Sequence, residues 1–126
     1  MMIIRTGIDM VDLSVLRRRV ERSENDLLAA FLTQQELESV GGRIDRAGTR
    51  WAAKEATMKA LGWGLDKLDP HQIEVHSDDG EAPQLRLHGD AGKRAAVLGL
   101  TQWTLSVSHT DNEAIASVVA IGEVHD

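Results

Sequence analysis

Residues 50–62 are rich in alanine, leucine, methionine and lysine and stop at Gly62, the pattern of a strong helix that ends on a residue suited to the position just past it. At 3.6 residues per turn, Ala52, Ala56 and Ala60 line up as a stripe with almost no side-chain bulk. Such a stripe lets the helix backbone sit very close to its packing partner, so the sequence predicts a central helix. Glu55 and Lys59 are also four apart and project side by side from another face. Taken alone they read as an exposed stabilising pair. A functional reading requires the rest of the chain to supply partners for Glu55.

The flanking segments predict a mixed fold. The alternation and β-branched content of 2–11 predict a strand, in which Asp9 sits between Ile8 and Met10 and must reach either water or a partner. Asp12 or Ser14 can cap a helix through 15–22. That helix carries Arg17, Arg18, Arg19 and Arg22, the one concentrated basic patch, which reads as a solvated face or as a docking surface for an acidic partner. Thr33 and Glu36 fit a capping box. Segments 72–76 and 84–88 predict a hairpin, 91–98 a further helix, and 103–109 a strand returning through the nearly continuous apolar run 114–121, which belongs inside a sheet. The expected architecture is α+β, a small antiparallel sheet packed against a long central helix, within a single domain covering 1–126.

Composition removes several classes of function. With no cysteine there can be no disulfide framework, zinc–thiolate site or cysteine nucleophile. A net charge of -6, with one Phe, three Trp and no Tyr, argues against a nucleic-acid surface. The apolar part of the first seven residues is too short for a signal sequence and no run approaches a membrane span, so no membrane partner and a cytoplasmic location are expected. Walker and dinucleotide-binding glycine loops, nucleophile elbows and the His-Glu-x-x-His pattern are all missing from the sequence. What remains is Asp9, Glu55, Lys59 and a Ser-x-Ser-His strand end at Ser106, Ser108 and His109. Magnesium is commonly held by one or two carboxylates, with water and substrate phosphates filling its other positions. Asp9, Glu55 and Lys59 are therefore a candidate diphosphate site.

Taken together, these motifs resemble the small bacterial holo-acyl-carrier-protein synthases of the 4′-phosphopantetheinyl transferase superfamily. The resemblance rests on Gly7-Ile8-Asp9 with Val11, on 32–36, on 50–56 with 59–62, on Ile73-Glu74-Val75 with Gly80, Pro83 and Gly89, and on 105–109, five motifs in order along the chain. It implies Mg2+-dependent transfer of the phosphopantetheine arm of coenzyme A to a serine of an apo acyl carrier protein, or of a carrier domain of a fatty acid synthase. Adenosine 3′,5′-bisphosphate is released, and the reaction serves fatty acid biosynthesis. The resemblance makes Asp9 and Glu55 the metal ligands. Asp9, Glu55 and Lys59 become the catalytic groups, with Glu55 or a metal-bound water accepting the serine proton. Lys54, Lys59, Gly62, Gly64, Gly80, Pro83, Ser106, Ser108 and His109 become the coenzyme A contacts, the strand end at His109 coming from a neighbouring subunit of a homotrimer. Many relatives have a carrier-binding arginine where this chain has Val15, which shifts docking to Arg17, Arg18 or Arg22. The spacing from Gly80 to Pro83 is one residue longer than the usual one. The alternative is a non-catalytic trimeric module that binds coenzyme A or a carrier protein.

Overall fold

The computed structural model describes residues 1–23, 26–77 and 81–125. In chain order the elements are β1 (Met2–Asp12), α1 (Leu13–Arg22), α2 (Gln34–Val40), α3 (Ile44–Leu61), β2 (Ile73–His76), β3 (Gln84–Leu87), α4 (Gly89–Leu98), β4 (Leu100–His109) and β5 (Glu113–Glu123), with single 3-10 turns at Leu28–Ala30 and Pro70–Gln72. The strands form two antiparallel sheets, one ordered β1-β5-β4 and the other β2-β3. The apolar run expected inside a sheet is β5, which pairs with β1 on one side and β4 on the other. The α+β expectation holds, with the sheet divided in two.

The long helix begins at Ile44, earlier than the alanine-rich stretch suggested. Gly41 and Gly42 adopt left-handed conformations (φ 59° and 79°) that end α2, and Asp45 then places a carboxylate in the first turn of α3, where the helix dipole favours it. Gly48 does not break this helix because it is a crossing point: a Cβ there would press on the Leu13 side chain.

Ala52, Ala56 and Ala60 are fully buried and share a core with Leu105, Ala116 and Val118 of the large sheet and Val75 of the small one. The strand meets the alanine stripe with an equally small residue. A Cβ at Gly7 would overlap the carbonyl oxygen of Ala56, so only glycine permits this approach. Two residues earlier on the same face of β1, Arg5 Nε donates to the Ala60 carbonyl at 2.8 Å. Arg5, Gly7, Asp9 and Val11 pair with Ala120, Val118, Ala116 and Ala114 of β5, giving α3 a shallow bed. The opposite face of β1 is open: Ile4, Ile8 and Met10 are 60 %, 58 % and 60 % exposed.

The capping box at Thr33 and Glu36 forms, and it extends into the core. Glu36 Oε1 accepts from the Thr33 N–H at 2.9 Å and from Lys54 Nζ at 2.7 Å, while Oε2 accepts from the Val75 N–H at 3.0 Å. Lys54 Nζ also donates to the carbonyls of Pro70 at 2.8 Å and Ile73 at 2.6 Å, which uses all three of its protons. Both side chains are fully buried. Burial pushes the Lys54 ammonium below its usual range while Glu36 pulls it back. Lys54 is thus a strut joining α2, α3 and β2. This corrects its expected role as a coenzyme A contact, because it has neither exposure nor a free proton.

Lys54→Met would leave Glu36 as a buried carboxylate without its cation, at a cost of about 3–5 kcal/mol. Urea unfolding should read that loss; a change below ~1 kcal/mol would contradict the strut.

Candidate active site

Asp9 owes its position to strand parity. It lies on the β1 face that carries Gly7, so it is turned toward α3 and away from water on the open face. Lys59, one turn beyond Glu55, donates from Nζ to the Ile8 carbonyl at 2.8 Å and to Asp9 Oδ1 at 3.2 Å. The Asp9 side chain is 19 % exposed and that of Lys59 55 %, so one side of the ammonium remains open to a ligand. Glu55 differs from both: its Oε1 is buried without a hydrogen-bond partner. Burial raises the Glu55 pKa above its usual range, the negative charge of Asp9 raises it further, and Lys59 opposes both. An orphaned carboxylate oxygen beside a second carboxylate is costly in a folded chain unless something cationic occupies the space.

These residues fit a magnesium ion. Asp9 and Glu55 would supply two hard oxygen ligands, and among the described residues no three metal-ligating side chains gather. The remaining positions are left for water and substrate oxygens, the usual arrangement for this ion with phosphate compounds. Asp9 and Glu55 open into a groove of about 430 Å³ whose wall includes Val15, Arg19, Trp51 and Leu65.

Other expected site residues lie elsewhere in the chain. His109, at the end of β4, has Nε2 3.6 Å from Asp45 Oδ2 and lines a different groove, of about 380 Å³, with Arg17 and Arg43. Ser106 and Ser108 are exposed on the sheet face opposite α3, paired with Ser117 and Ile115 of β5. A single protomer therefore does not gather the strand end around Asp9 and Glu55. Gly62 closes α3 in a left-handed conformation (φ 74°), and after Gly64 the chain reaches the Asp9 groove through Leu65. Pro83 leads into β3, and Gly80 lies outside the described residues. Arg18 and Arg22 are exposed on α1. Arg19, which the sequence patterning passed over in favour of its neighbours, is the α1 arginine that lines the Asp9 groove. The signal was present in the spacing of Asp12, Val15, Leu16 and Arg19, which is one helical stripe.

The sequence model of the 4′-phosphopantetheinyl transferase superfamily matches residues 5–118, and the chain belongs to that family. Curated relatives include a holo-[acyl-carrier-protein] synthase of Herpetosiphon aurantiacus, 36 % identical over 93 % of this chain and 98 % of the relative. A synthase of the same name from Geobacter sulfurreducens is 39 % identical over 94 % of this chain and 97 % of the relative. Among solved structures, the Helicobacter pylori holo-[acyl-carrier-protein] synthase in complex with coenzyme A superposes with a TM-score of 0.81 at 27 % identity, covering 91 % of this chain and 98 % of that one. The Bacillus anthracis enzyme in complex with coenzyme A (3′,5′-ADP) superposes with a TM-score of 0.78 at 27 % identity, covering 98 % and 100 %.

The raised Glu55 pKa has a sign that can be measured. A carboxyl whose pKa rises on folding favours the fold below its ordinary value of 4.5 and loses that contribution as pH rises through the folded value. Above it, ionised Glu55 is a cost. Glu55→Gln should therefore raise the Tm of metal-free protein at about pH 8, with the gain shrinking on acidification toward about pH 4. Magnesium should raise the wild-type Tm and leave the variant unmoved. A metal-free variant less stable than wild type at the higher pH would contradict this account.

Proposed function

We propose that this chain transfers the 4′-phosphopantetheine arm of coenzyme A to a serine hydroxyl of an apo acyl carrier protein, or of a carrier domain, in fatty acid biosynthesis in the cytoplasm. The observation that carries the reading is the buried, unpartnered Glu55 oxygen beside Asp9 and Lys59 at an open groove. The family match and the coenzyme A bound in a solved relative supply the substrate class.

In the proposed reaction the carrier serine oxygen bonds to the β-phosphorus of coenzyme A while the bond from that phosphorus to the bridging oxygen breaks. The products are the phosphopantetheinyl serine and adenosine 3′,5′-bisphosphate. Asp9 and Glu55 would hold Mg2+, whose bound form neutralises diphosphate charge. Lys59, anchored by the Ile8 carbonyl, offers its exposed side to the same phosphates and stabilises charge on the leaving group. Glu55, or a water held at the same ion, would accept the serine proton. Gly62 and Gly64 would let the loop after α3 approach the pantetheine arm, with Pro83 beside it. The exposed arginines Arg17, Arg18 and Arg22 would form a basic surface for an acidic carrier.

A homotrimer is part of the proposal. It would cover the exposed Ile4, Ile8 and Met10, since apolar patches of this kind commonly mark contact surfaces. It would also bring Ser106, Ser108 and His109 of one protomer to the nucleotide bound at its neighbour.

Incubation with coenzyme A, Mg2+ and an apo carrier protein should add one phosphopantetheine group to the carrier, read by intact mass. Asp9→Asn should reduce turnover at least ~100-fold, as for other electrostatic deletions. Near-normal turnover in the variant, or release of pantetheine phosphate with no carrier present, would refute the assigned roles.

A further inference from the structure

We propose that His71 is a pH-sensitive latch between the 3-10 turns Leu28–Ala30 and Pro70–Gln72, closed when its ring is protonated and open when the ring is neutral, and that it sets the packing of one wall of the Asp9–Glu55 groove. The ring geometry carries this. Nδ1 lies 2.7 Å from Asp69 Oδ1, and Nε2 lies 2.8 Å from the Ala29 carbonyl oxygen. Both partners are acceptors. A neutral imidazole has one N–H, so it can donate to one of them and must turn a lone pair toward the other. Only the imidazolium satisfies both contacts. Asp69 keeps its charge here, since the His71 backbone N–H also donates to Oδ1 at 2.9 Å and holds the carboxyl below its usual range.

The influences on the ring come from three elements. The Ala29 carbonyl is the largest and raises the His71 pKa; partial burial opposes it; Asp69 raises it, and Lys54, reaching from α3, lowers it. The turn Leu28–Ala30 itself presents a carbonyl and no charged side chain. The balance lies above the ordinary value of 6.5. Such a histidine contributes stability in full below its unfolded pKa and loses that contribution as pH rises through the folded one.

One jaw of the latch is fixed and the other is not. The carbonyls of Pro70 and Ile73, which bracket His71, are held by buried Lys54. Ala29, on the other jaw, is exposed. Directly after it, the N–H groups of Phe31 and Leu32 both donate to the Leu28 carbonyl, so release at Ala29 reaches Phe31 through a single turn of backbone. Phe31 packs on Trp51 with ring centroids 4.8 Å apart, and Trp51 lines the groove that holds Asp9 and Glu55. Thr33, bonded to Glu74 at 2.8 Å, limits the release to the residues before it.

The test is an NMR pH titration of the full chain, with the His71 ring signal assigned by its loss in His71→Asn. His71 should titrate with a midpoint above 6.5, with both ring nitrogens protonated below it, and Asp69→Asn should lower that midpoint. Across it, the Trp51 indole signal should shift. Amide-exchange protection of Phe31 and Leu32, corrected for intrinsic exchange, should fall by ~10-fold for each unit by which the midpoint exceeds the unfolded value. In His71→Asn the protection should be low at every pH. A His71 midpoint at or below 6.5, or one that Asp69→Asn leaves unmoved, overturns the latch. Protection or a Trp51 signal that does not change through the midpoint overturns its link to the groove wall.

Discussion

The backbone contact between β1 and α3 is the constraint on which the rest of the molecule depends. Gly7 lies against the carbonyl of Ala56, with Ala52 and Ala60 extending the smooth contact along the helix. Two positions along the strand from Gly7 is Asp9, and one residue before Ala56 is Glu55. Because side chains cannot hold the two backbones apart here, the two carboxylates come into each other's field. The site is thus a consequence of how closely two elements pack, and a bulkier pair of surfaces would separate its halves by the width of a side chain.

That closeness has an energetic consequence which the scaffold absorbs. Glu55 is partly buried, lacks a partner for one oxygen and sits near a like charge, a local conflict of the kind that marks functional sites. The opposite flank of α3 shows the contrary design. Lys54, adjacent in sequence to Glu55, is fully buried with every proton used, and its partner Glu36 is satisfied on both oxygens. One helix therefore carries a completed ionic strut on one face and an incomplete ionic cluster on another. The strut fixes α3 to α2 and β2 so that the incomplete cluster cannot relax by moving the helix.

Sequence periodicity made much of this legible. The alanine stripe predicted a central helix, the capping box at Thr33 and Glu36 formed, and the apolar run of β5 lies inside its sheet as its composition required. Three things were not legible, each for a physical reason. Lys54 reads as one more lysine in a helix, because nothing local to its sequence shows that Glu36, Pro70 and Ile73 converge on it. Gly7 reads as part of a motif, and its packing role emerges only with Ala56 above it. Arg19 was hidden among its arginine neighbours, since a run of like residues has no periodicity of its own and only the positions of Asp12 and Val15 select the face. The start of α3 was placed late because Gly48, a helix weakener by propensity, is tolerated where a crossing against Leu13 leaves no room for a side chain.

The close approach of Gly7 to Ala56 is what brings Asp9 and Glu55 together, and ion binding at the proposed site reads it directly. Binding of manganese, a spectroscopic substitute for magnesium, can be followed by electron paramagnetic resonance on wild type and on Gly7→Ala, with helical content checked by circular dichroism. The added methyl must push α3 from β1, so the folded variant is expected to lose at least ~10-fold in ion affinity, the loss seen when a group that only orients a metal ligand is removed. A folded Gly7→Ala protein that binds the ion as tightly as wild type would contradict the account.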